Sequence, residues 1–176
     1  PLLEIEKIKE LIDYLKDIKN INFRLQTNGQ ILNKLPKEYL NKIGKILVSI
    51  DGDKERTDLN KGAGTYDKVI ENLKKIRKEG YNEEIVARMT IATGFPVQAS
   101  DIYKQVKHLI DLKDINEKNL FDSVHWQLDA EFYENDFLYK DFKKFVKDYS
   151  NSLTKLVNYW IEELKKGNFI RLYPFI

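Results

Sequence analysis

Apolar residues along the chain switch between two periods. From Leu3 to Ile18, Ile5, Ile8, Leu11, Ile12 and Leu15 recur at helical spacing with Lys and Glu between them, which predicts an amphipathic helix. Ile21 to Gln26 predicts a strand. Thr27-Asn28-Gly29 predicts the turn after it, because Asn and Gly tolerate the left-handed backbone region. Leu35 to Ile43 predicts a short helix entered through Pro36. From Lys45 to Gly52, the residues Ile46, Leu47, Val48 and Ile50 form a β-branched-rich run between Gly44 and Asp51-Gly52. That pattern predicts a strand buried on both faces, as in a parallel sheet.

The rhythm then repeats. Asp53 to Gly64 is polar and reads as a loop. Tyr66 to Glu79 predicts a helix with Val69, Ile70, Leu73 and Ile76 inward, capped at Gly64 or Thr65 and stopped by Gly80. Glu84 to Ala92 predicts a second buried strand. It carries Arg88, a guanidinium that needs partners if buried. After Gly94-Phe95-Pro96, Ser100 caps a predicted helix running to about Leu112. Val124 to Ala130 predicts a strand. Asp136 to Lys166 predicts one long helix or two shorter ones divided near Ser150-Asn151-Ser152, and Phe169 to Phe175 a last strand.

Strands starting near residues 21, 45, 85, 122 and 169 leave room for a crossover helix between each pair. The fold class is therefore α/β with parallel strands. A doubly wound open sheet and part of a (β/α) barrel both fit. The opening helix leaves such a run without its first strand, so further chain is expected before Pro1.

Composition narrows the function. The 176 residues suit one domain, and 42% hydrophobic with 33% charged residues supplies both a core and a charged surface. The net charge of +2 comes from interleaved Lys and Glu rather than a basic patch, which argues against nucleic acid. No apolar run approaches the roughly 18 residues that span a bilayer, and no signal peptide is visible, so a cytoplasmic protein is expected. There is no cysteine, which excludes disulfides and thiolate metal ligands within these residues. The two histidines, His108 and His125, fall on different elements, so no metal site is expected from them. No GxGxxG, P-loop, HExxH or Ser/His/Asp elbow occurs.

Candidate chemistry lies at the carboxyl ends of the strands, where parallel α/β folds place ligands. Gln26, Asn28, Ser49, Asp51, Arg88, Thr90, Gln127, Asp129, Glu131, Arg171 and Tyr173 would share that rim, which suits a polar ligand. Ser49 is either a ligand contact or a small core residue bonded to backbone. His125 is either a base or a packed strand histidine. Asp51, Asp53, Glu55 and Asp58 form either a Mg²⁺ site or a solvated loop face, and their spacing matches no calcium loop.

Several stretches, in order, resemble the radical S-adenosylmethionine enzymes. Pro1-Leu2-Leu3 is similar to the end of that family's GGEP-L motif, Gln26-Thr27-Asn28-Gly29 to its second-strand QTNG, and Val48-Ser49-Ile50-Asp51-Gly52 to its third-strand SxDG. Thr57 to Gly62 and Gly64 to Leu73 resemble the segment that follows. The match is closest to the peptide-modifying, anaerobic sulfatase-maturing branch, and it holds over Pro1 to about Ala92. It implies a partial (β/α)₆ TIM-like barrel. It implies a 4Fe–4S cluster on CxxxCxxC that cleaves S-adenosylmethionine to a 5′-deoxyadenosyl radical, an oxidoreductase chemistry acting on a peptide or protein. Ser49, Gln26, Asn28, Arg88 and Thr90 would then contact the cofactor, with Lys61 standing where the family often has Arg. No catalytic acid or base is assigned.

The cluster cysteines, the first strand and the Gly-Gly-Glu before Pro1 are absent from these residues. The expectation is therefore a barrel core truncated at its N-terminus and at its C-terminus. Alone it would be inactive and prone to self-association through open sheet edges. Two alternatives stand beside it: a cluster-less binding or scaffold protein on the same barrel, and an unrelated α/β enzyme using the acidic loop with a divalent metal.

Overall fold

The computed structural model describes residues 1–91, 101–129, 142–173 and 175–176. Five strands form one sheet in the order β1-β2-β3-β4-β5, and every neighbouring pair is parallel. They are β1 (Phe23–Thr27), β2 (Ile43–Ser49), β3 (Glu84–Ile91), β4 (Ser123–Leu128) and β5 (Arg171–Tyr173). The helices are α1 (Ile5–Leu15), α2 (Lys37–Leu40), α3 (Lys54–Lys61), α4 (Thr65–Lys78), α5 (Ile102–Asp111) and α6 (Phe142–Lys165). Sequential order with parallel pairing and an unclosed sheet is the architecture of a partial (β/α) barrel. This settles the choice against a doubly wound sheet, whose strand order would reverse.

Period two divides each strand between two environments. Leu25, Ile46, Val48, Ile85, Ala87, Met89, Val124 and Trp126 face a core shared with Ile12, Val69, Leu73, Val106, Leu109 and Leu156 of the helices. The opposite face carries Arg24, Gln26, Lys45, Leu47, Ser49, Arg88, His125 and Gln127, all half-buried or exposed. The expectation that β2 is buried on both faces therefore holds for one face only. The sheet is not closed, so most of its inner face stays accessible, although Val86 and Ser123 on that face are buried.

One stretch differs from the sequence reading, and one open alternative is settled. Asp53 to Gly64 contains a helix, α3, capped by the Asp53 carboxylate accepting from the Arg56 N–H at 3.1 Å. Its hydrophobic pattern is weak because it buries only Arg56 and Thr57. Between Ser150 and Ser152 the chain does not break. α6 runs through, with Thr154 Oγ1 donating to the Ser150 carbonyl at 2.9 Å and buried Ser152 Oγ accepting from the Tyr103 N–H at 3.0 Å. Ala92, Ser100, Ala130, Glu131 and Asp136 lie outside the described residues. Among the described residues no helix is long and apolar enough to cross a membrane.

Candidate functional site at the strand carboxyl ends

A cavity of about 420 Å³ opens at the carboxyl ends of β1 and β2, lined by Pro1, Leu2, Leu3, Gln26, Thr27, Asn28, Gln30, Ile31 and Ser49. Three of the five predicted cofactor contacts, Gln26, Asn28 and Ser49, meet there with Pro1. The Gln26 to Gly29 turn is fixed from several sides. Thr27 Oγ1 accepts from the Gly29 N–H at 3.1 Å, and Asn28 Oδ1 accepts from the Gln30 N–H at 3.2 Å. Buried Asn72 of α4 donates to the carbonyls of Gly29 at 2.9 Å and Gln30 at 2.8 Å. Gly29 sits at φ 74°, and a Cβ there would stand 3.1 Å from Val48 Cγ1. The loop thus presents its amide and hydroxyl groups in a preset position, which lowers the ordering cost of binding a polar ligand.

Asp51 and Gly52 shape this rim rather than line it. Asp51 is buried, and its carboxylate accepts from the Thr90 N–H at 3.0 Å and from Asn60 Nδ2 at 3.1 Å, and pairs with Lys61 Nζ at 3.1 Å. It welds the end of β2 to β3 and α3. Lys61, at the family's frequent Arg position, is consumed by this ion pair. The Thr90 backbone is part of the same weld, and its half-buried side chain falls on the inner face.

Arg88 lies on the inner face, laterally between Ser49 of β2 and His125 of β4, and His125 pairs in register with Tyr173 of β5. Arg88 Nη2 donates to Gln127 Oε1 at 2.9 Å. The His125 ring meets the Tyr173 ring edge-on, centroids 6.1 Å apart. Burial, and then the Arg88 charge, lower the His125 pKa below the ordinary histidine value, so the ring is neutral at pH 7. Arg88 and Thr90 therefore do not line the cavity of Gln26, Asn28 and Ser49. They stand on the same sheet face, toward β4. His125 lies on the inner face rather than in the apolar core.

The acidic stretch divides into three structural duties. Asp51 makes the weld just described. Asp53 caps α3, pairs with Lys104 at 3.1 Å and accepts from Gln105 Nε2 at 3.0 Å. Asp58 caps the start of α4 by accepting from the N–H groups of Tyr66 at 2.8 Å and Gly64 at 3.1 Å. Among the described residues no cluster of three or more His, Cys, Asp or Glu could hold a metal ion. Sequence reading missed Asn72 and Gln105, which hold the two rim loops. The available signal for Asn72 was a lone amide beside the apolar positions Val69, Leu73 and Ile76.

No protein-family model matches the chain. Among curated proteins, it is 24% identical to the cysteine-type anaerobic sulfatase-maturating enzyme of Clostridium novyi (strain NT) over 99% of this chain and 46% of that enzyme. It is 28% identical to the enzyme of the same description from Clostridium perfringens, over 91% of this chain and 41% of that enzyme. Among solved structures, native anSMEcpe with bound AdoMet superposes with a TM-score of 0.67 at 24% identity, over 99% of this chain and 46% of that one. The same protein with bound AdoMet and the Cp18Cys peptide gives a TM-score of 0.68 at 22% identity, over 97% and 47%. The chain spans about half the length of the curated relatives it matches. Ordered motifs, barrel architecture and sequence similarity agree: this chain is similar to the cysteine-type anaerobic sulfatase-maturating enzymes over about half of their length.

Proposed function

We propose that this chain supplies the S-adenosylmethionine-binding part of a radical S-adenosylmethionine enzyme that modifies a peptide or protein. One observation carries the reading. The stretches similar to the GGEP-L, QTNG and SxDG motifs, up to 48 positions apart in sequence between Pro1 and Ser49, converge on one cavity. A volume of about 420 Å³ falls in the range of about 300–1,000 Å³ typical of small-molecule sites. Its donors and acceptors suit a ligand with an amine, a carboxylate and ribose hydroxyls. Gln26, Asn28 and Ser49 would hold the cofactor's polar groups, and Leu2, Leu3 and Ile31 would cover its apolar faces. The bound cofactor supplies a 5′-deoxyadenosyl group for hydrogen abstraction. The residues here bind and orient it.

The 4Fe–4S cluster that the family implies does not fit these residues, because none of them is cysteine. The reading assigns its ligands to chain outside residues 1–176. A peptide substrate is supported by the solved relatives with bound Kp18Cys and Cp18Cys peptides. The test is anaerobic reconstitution of the full-length protein with iron and sulfide, then dithionite and S-adenosylmethionine. Formation of 5′-deoxyadenosine, reduced about tenfold or more by Ser49→Ala or Gln26→Ala as expected for loss of one or two polar contacts, supports the reading. No iron retained and no 5′-deoxyadenosine would transfer it to a cluster-less binding protein on the same barrel.

A further inference from the structure

Helix α4 carries an amide that its own packing does not explain. Asn72 is buried on the stripe of Val69, Leu73 and Ile76, where a leucine would extend the apolar face. Asparagine is a poor helix former, and burying its amide costs free energy unless hydrogen bonds compensate. Both side-chain hydrogen bonds leave the helix. Nδ2 donates to the Gly29 and Gln30 carbonyls, 43 and 42 residues away in sequence. Earlier on α4, Thr65 takes the Gln30 side chain, with Gln30 Nε2 donating to Thr65 Oγ1 at 3.4 Å. The same turn rests on Val48 of β2 and Val69 of α4, which a Cβ on Gly29 would meet at 3.1 and 3.3 Å. Asn28 and Gln30 of this turn line the cavity of about 420 Å³, whereas Asn72 does not.

We propose that Asn72 is a positioning residue for the ligand of that cavity: it clamps the Gly29 and Gln30 carbonyls so that Gln26, Asn28 and Gln30 hold their binding geometry before the ligand arrives. The amide acts through the free protein, because a turn already ordered has less backbone freedom to lose on binding. Gly29, at φ 74°, has the widest backbone freedom in the turn, and the clamp closes on its carbonyl. The consequence is a separation of effects. An apolar side chain of the same branching at position 72 keeps α4 packed, yet ligand binding weakens because the turn is no longer held. The identity of the ligand, S-adenosylmethionine, rests on the proposed function; the clamp itself does not.

The experiment uses the full-length protein. S-adenosylmethionine affinity is measured by equilibrium dialysis, and amide exchange at Gly29 and Gln30 by NMR. Asn72→Leu keeps the branched shape and removes the donor. Asn72→Asp keeps the shape and sets an acceptor against two carbonyls. Both are expected to weaken S-adenosylmethionine binding roughly tenfold, the equivalent of fixing the backbone of about one residue. Both should also speed exchange at Gly29 and Gln30 in the free protein. Arg77→Ala, at the opposite end of the strands, controls for general loss of stability and leaves the affinity and those two amides unchanged. In the wild type the two amides are protected before ligand is added and gain little when it binds. Unchanged affinity in Asn72→Leu, an equal loss in Arg77→Ala, or wild-type amides protected only by the ligand would each overturn the proposal. A wild type that binds no S-adenosylmethionine would remove the proposed function. Exchange at Gly29 and Gln30 accelerated only in the Asn72 variants would then uphold the clamp, and unaltered exchange would overturn it as well.

Discussion

Replacing Gly52 with Ala tests why the strand-end SxDG stretch requires a glycine. Gly52 lies at φ 123°, a conformation that L side chains rarely adopt. A Cβ there would stand 2.8 Å from Gln105 Cδ and 2.9 Å from Gln105 Cβ, and closer still to Oε1. Because the Cβ is also too close, rotation of the amide alone gives no relief, and α5 or the loop must shift. Gln105 is buried and is spent on three bonds: Oε1 accepts from the Asp53 N–H at 2.6 Å, and Nε2 donates to Asp53 Oδ2 at 3.0 Å and Asp101 Oδ2 at 2.9 Å. The backbone strain costs about 1–3 kcal/mol. Breaking the amide's bonds to backbone and carboxylates costs about 1.5–3 kcal/mol more. We expect Gly52→Ala to lose about 3–5 kcal/mol, a large part of the roughly 5–15 kcal/mol typical of a domain. Urea unfolding followed by fluorescence of Trp126 and Trp160 measures it. Gln105→Ala removes most of the obstruction, so the double variant should be less destabilised than the sum of the singles. A loss below about 1 kcal/mol, or strict additivity in the cycle, would refute the reasoning.

Two further outcomes follow from the same structure. Arg77 ties the end of α4 to the starts of β3 and β4, donating to the Tyr81 carbonyl at 3.0 Å, the Glu83 carbonyl at 2.9 Å and Asp122 at 2.6 Å. Arg77→Ala should therefore cost about 1–3 kcal/mol, chiefly because the Tyr81 and Glu83 carbonyls lose their donor while the exposed Asp122 stays solvated, and Arg77→Lys should recover only part of this in the same urea assay. At Asp53 burial pushes the pKa up, but the Arg56 N–H, the Gln105 amide and the Lys104 ammonium outweigh it and hold it below the ordinary value of 3.8. With the folded value depressed, its contribution is in place above the unfolded pKa and is lost as pH falls below 3.8 through the folded value. Thermal unfolding of Asp53→Asn between pH 7 and 3 should show a shallower acid decline than wild type, and an unchanged slope would contradict this.

The apolar pattern determined most of the fold. Short β-branched runs separated by amphipathic helices specify parallel strands, because only a crossover helix joins them and only packing that helix against the sheet buries both. The five strands and the helices α1, α4 and α5 follow from that pattern. Ser49, Gln26 and Asn28 could be placed at one rim from sequence, since alternation and parallel direction fix which end and which face each strand residue occupies. Helix α3 was not legible, because a helix held by its Asp53 cap and by Arg56 and Thr57 carries no apolar stripe. Nor could periodicity reveal that Ser150 and Ser152 continue α6, since their compensating partners, Thr154 and the Tyr103 amide, are supplied by the folded chain. The fates of the charges were decided only by tertiary structure. Asp51, Asp53 and Asp58 stand within one short polar stretch yet hold Lys61, Lys104 and the start of α4 respectively, while Arg88 bonds Gln127 on the inner face. Local patterning sets where a side chain emerges from its strand or helix, but a charge is neutralised by whatever distant residue the fold brings within reach. Electrostatic partnership is therefore a property of the packed chain.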